Sequence, residues 1–274
     1  MLQDTHTHLG NKVLSPTIYA PEMLHAIARG NTRRFLPSNI CFYGHDIWNC
    51  YEVSWLDLTG KPHVGVLEMT VPCGSEYLIE SKSFKLYLAS LCNVQFEAKV
   101  DVEQLISRDL SNILKAAISC KLFTLDSPML QDVSCGFAKA ILIDTLDVPC
   151  NEFLPNKNLL VAKDNNVSGV RLYSNLLKSN CPVTAQPDWA SILVEYSGLE
   201  ICSKGLLQYI VSYRNHTGFH EDCVEKIFCD IYERCNPSSL LVHARYTRRG
   251  GIDINPLRAS FVPKQVENKR LVRQ

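Results

Sequence analysis

Twice along this chain a β-hairpin is followed by two amphipathic helices and then by closing strands. The first hairpin is written in Ile47-Trp48-Asn49-Cys50-Tyr51-Glu52-Val53-Ser54-Trp55-Leu56, rich in aromatic and β-branched residues, and in the returning segment 63–71. Between them Leu58-Thr59-Gly60-Lys61-Pro62 is turn chemistry. Phe84, Tyr87, Leu88 and Leu91 fall at i, i+3, i+4 and i+7, one helical stripe. Val102, Leu105, Ile106, Leu110, Ile113 and Leu114 make a longer one, and short strands are expected at 120–125 and 138–144. The order then repeats, with strands at 167–174 and 190–196, the latter ending in a Ser197-Gly198 turn. Helical stripes follow at Leu206, Leu207, Ile210, Val211 and at Val224, Ile227, Phe228, Ile231, Tyr232, before a closing strand at 240–246.

The two copies are offset by about 120 residues, the size of a small domain. The chain therefore reads as a duplicated α+β fold, each half an antiparallel sheet with helices layered on one face. Residues 1–40 lack sustained periodicity and are expected to form an arm. The modules are expected at 41–150 and 151–274.

The formal net charge is zero, with 28 basic and 28 acidic residues, which argues against adhesion to nucleic acid or to an anionic membrane. No stretch reads as a signal peptide or approaches the length of a bilayer span. Twelve cysteines are scattered with no CxxC among them. That pattern fits thiols in a reducing cytoplasm better than a disulfide framework or a structural zinc site.

Cys181 lies in Asn180-Cys181-Pro182-Val183-Thr184-Ala185-Gln186-Pro187-Asp188-Trp189. The prolines prevent a helix there, so a thiol and a carboxylic acid seven residues apart can face one cavity. A thiolate beside a proton donor is suited to adding to an electrophilic carbon and protonating its heteroatom. A buried structural cysteine near a surface acid is the plainer alternative.

Leu78-Ile79-Glu80-Ser81-Lys82-Ser83-Phe84-Lys85-Leu86-Tyr87-Leu88 joins the first hairpin to its helix. Ser81 or Ser83 can cap that helix, and lysines at a helix start also suit phosphate. Glu221, in Gly218-Phe219-His220-Glu221-Asp222, is either a dipole-stabilising acid or a carboxylate for the paired N–H donors of a planar base. Arg248-Arg249-Gly250-Gly251 can grip phosphate or form a solvated turn. His216 and His220 are four apart but straddle the helix start, which disfavours a metal site. Asp4-Thr5-His6-Thr7-His8 imitates an amidohydrolase opening, yet the chain lacks eight βα units. No GxGxxG follows a strand, so any nicotinamide cofactor must be bound by another architecture.

Taken together, Glu80-Ser81-Lys82-Ser83-Phe84-Lys85-Leu86-Tyr87, Ser179-Asn180-Cys181 through Gln186-Pro187-Asp188-Trp189, Phe219-His220-Glu221 and Tyr246-Thr247-Arg248-Arg249-Gly250-Gly251 resemble the NADPH-dependent 7-cyano-7-deazaguanine reductases, nitrile reductases of the long, two-module type. Pro182 and Ala185 depart from that pattern without touching a reactive group. The resemblance implies tandem tunnelling-fold modules, a homodimer, and reduction of a nitrile to a primary amine by NADPH in the making of queuosine for tRNA. It implies Cys181 as nucleophile forming a thioimide, Asp188 as proton donor, and His220 as an assistant in proton transfer. Ile79, Glu80, Ser81, His220 and Glu221 would hold the substrate; Ser81, Lys82, Arg249 and Gly250 would contact NADPH. No metal is expected. Two rival classes are a cysteine hydrolase, which would need no NADPH, and a cyclohydrolase-like relative, which would need zinc ligands.

Overall fold

A computed structural model gives the fold and describes residues 16–264 and 268–274. The architecture is α+β, packed as two compact units. Unit 1 takes the chain up to Asn31, then Trp48–Gln131 and Arg249–Ile252; unit 2 takes Thr32–Ile47, Asp132–Arg248 and Asp253–Gln274.

Unit 1 contains β1 (Ala26–Ala28), most of β2 (Tyr43–Leu56), β3 (Pro62–Pro72), β4 (Tyr77–Ile79), α1 (Ser81–Ser90), α2 (Lys99–Leu114) and β5 (Ser119–Phe123). Its sheet runs β5-β3-β2, with β3 and β5 antiparallel and Met69 opposite Cys120. The expected stripes are the buried ones: Phe84, Tyr87, Leu88 and Leu91 on and just after α1, Val102, Ile106, Leu110 and Leu114 on α2. Trp48 from β2 meets Phe84 edge-on at 5.9 Å, tying sheet to helix.

Unit 2 contains β6 (Val133–Ser134), β7 (Ile141–Leu142), β8 (Ala162–Asn180), β9 (Pro187–Ile201), α3 (Ser203–Ser212), α4 (His220–Cys235), β10 (Ser239–Tyr246), nearly all of β11 (Ile252–Ala259) and β12 (Arg270–Leu271). Its sheet runs β11-β10-β9-β8-β7, antiparallel except for the short parallel pair β7 and β8. Strand alternation sorts its two faces. Ala190, Ile192, Val194 and Tyr196 of β9, with Leu240, Val242, Ala244 and Tyr246 of β10, share one core with Leu206 and Ile210 of α3 and Val224, Ile227 and Phe228 of α4. Leu193, Leu241, Leu257 and Ala259 form a separate cluster. Each unit thus carries an antiparallel sheet and two helices of ten residues or more.

Within residues 16–40, part of the expected arm, β1 pairs with β4, Ala26 opposite Ile79, while Arg33 bonds Glu225 at 2.6 and 2.9 Å within unit 2. Three expectations change. Ser197-Gly198 is no turn, because β9 runs on to Ile201. A Cβ on Gly198 would come 2.9 Å from the Ser238 backbone nitrogen, so this glycine permits close backbone packing. The strand expected at 138–144 shrinks to two residues, where the carboxylate of Asp144 takes over from the ladder by accepting from Asn175 N.

The third is β11, hidden behind Pro256 and its polar residues. All eight of its positions are buried, and the polar ones are satisfied internally. Asn255 donates to Asp253 and to the Ile47 carbonyl, and Arg258 donates to Asp46 and Glu225, each at 2.7 Å. Among the described residues no disulfide joins any cysteines, no helix is long and apolar enough to cross a membrane, and no cluster could hold a metal ion. The Asp4-to-His8 segment lies outside the described residues.

Candidate active site

The residues singled out from the sequence fall into two groups, one within each unit. In unit 2, β8 and β9 form a hairpin whose tip is residues 181–186. Cys181 N donates to the Gln186 carbonyl at 2.9 Å and Ala185 N to the Cys181 carbonyl at 3.0 Å, with Ala185 in the left-handed region at φ 54°. Pro187 opens β9 rather than merely barring a helix. The register sets Asn180 opposite Pro187 and Ser179 opposite Asp188, so the two chemical residues flank one hairpin end.

That hairpin end is tied to the start of α4. Asn180 N donates to the His216 carbonyl at 2.8 Å, and Gly218 N returns a bond to the Asn180 carbonyl at 3.1 Å. The residue before the cysteine is thereby stitched to the loop that delivers His220 and Glu221.

Asp188 shares β9 parity with Ala190 and Ile192 and is 3% exposed. Its Oδ2 lies 3.3 Å from Nε2 of His220. The imidazole stacks on Tyr246, ring centroids 3.8 Å apart and planes 13° from parallel. Cys181 is partly exposed. Nearby Cys223 is fully buried, and burial pushes its thiol up to about 12. The hairpin tip thus presents the accessible thiol and the interior keeps an inert one. Glu221 is 3% exposed in the first turn of α4, where the helix dipole favours its charge.

In unit 1, Glu80 caps α1. Its two carboxylate oxygens accept from Lys82 N and Ser83 N, both at 2.8 Å. Neither Ser81 nor Ser83 is the N-cap; Ser83 Oγ donates to the Glu80 carbonyl and accepts from His25 N. Ile79 and Glu80 are buried, while Ser81 and Lys82 are half-buried at the helix start. A carboxylate has about four acceptor directions, so capping leaves Glu80 capacity for further donors.

Arg249 and Gly250 are also in unit 1. Arg249 and Ile252 bridge across Gly250 and Gly251, whose φ values of 55° and 77° are those of a tight hairpin turn. A Cβ on Gly250 would overlap Nζ of Lys85, and one on Gly251 would lie 2.5 Å from the Glu52 carboxylate carbon. The turn is therefore seated between Lys85 and Glu52. Burial, and then the neighbouring Arg249 cation, pull the Lys85 pKa down against the pull of Glu52. Two cations held close, a glycine turn and a helix N-terminus make a cradle that fits the phosphates of a dinucleotide.

Sequence reasoning counted Lys85 with Lys82 among the lysines that suit phosphate at this helix start, but gave no sign of its contact with the Gly250 turn. It also missed Tyr246, whose signal as the last residue of a core strand gave no hint of a histidine partner. Arg248 is exposed and belongs to unit 2. His216 and His220 pack on different tyrosines: His216 meets Tyr213 edge-on at 5.2 Å.

An accessible thiol at the same hairpin end as a buried carboxyl–imidazole pair has the groups that nucleophilic catalysis by an enzyme requires. Residues 16–122 match the family model described as "Nitrile reductase, 7-cyano-7-deazaguanine-reductase N-term", and residues 187–265 match that described as "QueF-like protein". A protein of Coxiella burnetii (strain RSA 493 / Nine Mile phase I) named NADPH-dependent 7-cyano-7-deazaguanine reductase is 44% identical over 273 residues, covering 98% of this chain and 96% of that protein. A protein of the same name from Dechloromonas aromatica (strain RCB) is 47% identical over 269 residues, covering 97% and 94%. The chain belongs to the NADPH-dependent 7-cyano-7-deazaguanine reductase family.

Proposed function

We propose that this chain reduces the nitrile of 7-cyano-7-deazaguanine to the primary amine through a thioimide on Cys181, a step in making queuosine for tRNA. The observation that carries the assignment of residues is the hairpin end of unit 2: a partly exposed Cys181 whose strand partner segment holds the buried Asp188 against His220.

The Cys181 thiolate adds to the nitrile carbon, forming the C–S bond as one C–N π pair moves onto nitrogen. Asp188 gives that nitrogen a proton, and His220, 3.3 Å away, stabilises the resulting carboxylate. NADPH, when bound, supplies the hydrides that take the carbon from the nitrile to the amine level. Lys82, Lys85, Arg249 and the Gly250 turn are the groups that would hold its phosphates, with Ser81 at the helix start. Cys181 is regenerated when the C–S bond breaks, its electron pair returning to sulfur. Glu221 accepts the ring N–H and exocyclic amine of the base. Ile79, Glu80 and Ser81 are assigned to the substrate by family resemblance, as is the homodimer. Twelve cysteines joined by no disulfide support a reducing, cytoplasmic setting.

The test is to mix protein and nitrile without NADPH and weigh the intact protein. Its mass should rise by the whole substrate, and Cys181→Ala should show neither adduct nor NADPH consumption. An undiminished adduct in Cys181→Ala would remove this residue from the mechanism. Acyl-ester turnover without NADPH would point instead to a hydrolase.

A further inference from the structure

Catalytic histidines are ordinarily oriented by a hydrogen bond to the ring nitrogen that faces away from the chemistry. His220 has no such bond. Its Nδ1 is buried and has no hydrogen-bond partner among the described residues, while Nε2 is the atom directed at Asp188. What the ring does have is a flat partner: Tyr246 at 3.8 Å and 13°. Tyr246 is itself fully buried at the end of β10 and paired with Ala190 of β9, two residues from Asp188. Its hydroxyl is close to Ser179 and Cys223 but meets neither in hydrogen-bond geometry. The tyrosine therefore acts here through its ring face.

We propose that Tyr246 is a positioning residue, whose ring holds the imidazole of His220 with Nε2 toward Asp188 in place of the hydrogen bond that Nδ1 lacks. The proposal rests on the thioimide reading above. The stack acts on the ring that faces Asp188, so its loss should slow proton delivery even when the nitrile is saturating.

The experiment compares wild type, Tyr246→Phe and Tyr246→Leu as full chains, measuring nitrile affinity and the rate of adduct formation by stopped mass analysis. Tyr246→Leu should form the thioimide about three- to tenfold more slowly at saturating nitrile, and Tyr246→Phe, which keeps the stack, should restore the wild-type rate to within about twofold. Equal slowing in both variants would transfer the effect to the hydroxyl and overturn the proposal, as would no slowing in Tyr246→Leu. Should Tyr246→Leu not fold, wild type still decides: the His220 ring protons, assigned by their loss in His220→Asn, should be displaced upfield by the tyrosine ring current. Unshifted resonances would overturn the stack. Wild type that forms no adduct overturns the thioimide reading itself, and this inference with it.

Discussion

Nε2 of His220 lies 3.3 Å from Oδ2 of Asp188, and both side chains are largely withdrawn from solvent. Asp188 is on the strand that leaves the Cys181 tip, and His220 begins the helix whose preceding loop is bonded to that tip through Asn180. One hairpin end therefore carries Cys181 and Asp188, the proposed nucleophile and acid, and is tied to the loop before His220, the proposed assistant. Asp188→Asn keeps the shape but has no proton to give. Positioned acids contribute roughly 100- to 10,000-fold, so thioimide formation should slow at least a hundredfold while the nitrile still binds. Equal rates for the two proteins, followed by intact mass against time, would make Asp188 structural.

The cofactor cradle makes a separate prediction in unit 1. Gly250→Ala forces a Cβ into the space of Lys85 Nζ and strains a residue at φ 55°. The Michaelis constant for NADPH should rise about tenfold or more, the scale of one lost charge-assisted contact. Nitrile capture by Cys181 in the absence of NADPH should be unchanged. The sign of the pH effect follows from Lys85. Its pKa is lowered by burial and by Arg249, so its charge is lost as pH rises, beginning below the ordinary lysine range. Affinity for NADPH should weaken over that alkaline interval, and Lys85→Arg, which stays charged, should abolish the dependence.

Much of this organisation was legible because it rests on periodicity. The stripes of α1 through α4 and the first hairpin follow directly from spacing, since burial at 3.6- or 2-residue intervals leaves its mark in sequence. Gly198 misled because a glycine that admits a neighbouring backbone looks like a glycine that turns. β11 was hidden because Asp253, Asn255 and Arg258 are polar residues buried with their partners, a pairing that only three dimensions reveal. At the site, the Cys181–Asp188 spacing survived as a hairpin end. The Glu80 cap, the Lys85–Gly250 contact and the Tyr246 stack did not, because each joins residues whose proximity depends on side-chain direction.

Thiol reactivity should separate Cys181 from the other cysteines. Burial pushes Cys120, Cys223 and Cys229 up to about 12 and Cys235 to about 11, so these are almost wholly protonated near neutrality. Cys41 and Cys135 are exposed and are the fair comparison. A nucleophile poised for catalysis should outpace them by about tenfold with iodoacetamide at neutral pH, and the nitrile should protect it alone. Peptide mapping after brief alkylation reads all twelve sites at once. Labelling of Cys41 and Cys135 ahead of Cys181 would contradict an activated thiol.

Recognition of the base should depend on Glu221. A 7-deazaguanine presents its ring N–H beside its exocyclic amine, a donor pair that matches the two oxygens of a carboxylate. Glu221 is 3% exposed at the start of α4, so its carboxylate is kept from bulk water and lies at the helix end whose dipole favours negative charge. A hydrogen bond to a charged group is worth about 1.5–3 kcal/mol, so Glu221→Ala should weaken nitrile binding roughly 10- to 150-fold. Glu221→Gln should lose affinity too, because an amide accepts one donor and turns an N–H against the other. An analogue without the exocyclic amine should bind wild type poorly yet lose much less on going to Glu221→Ala, the paired contact being already absent. Titrating both ligands into both proteins closes a double-mutant cycle, with coupling expected between the side chain and the amine. Strictly additive losses would separate the two groups and leave Glu221 as a helix-start acid.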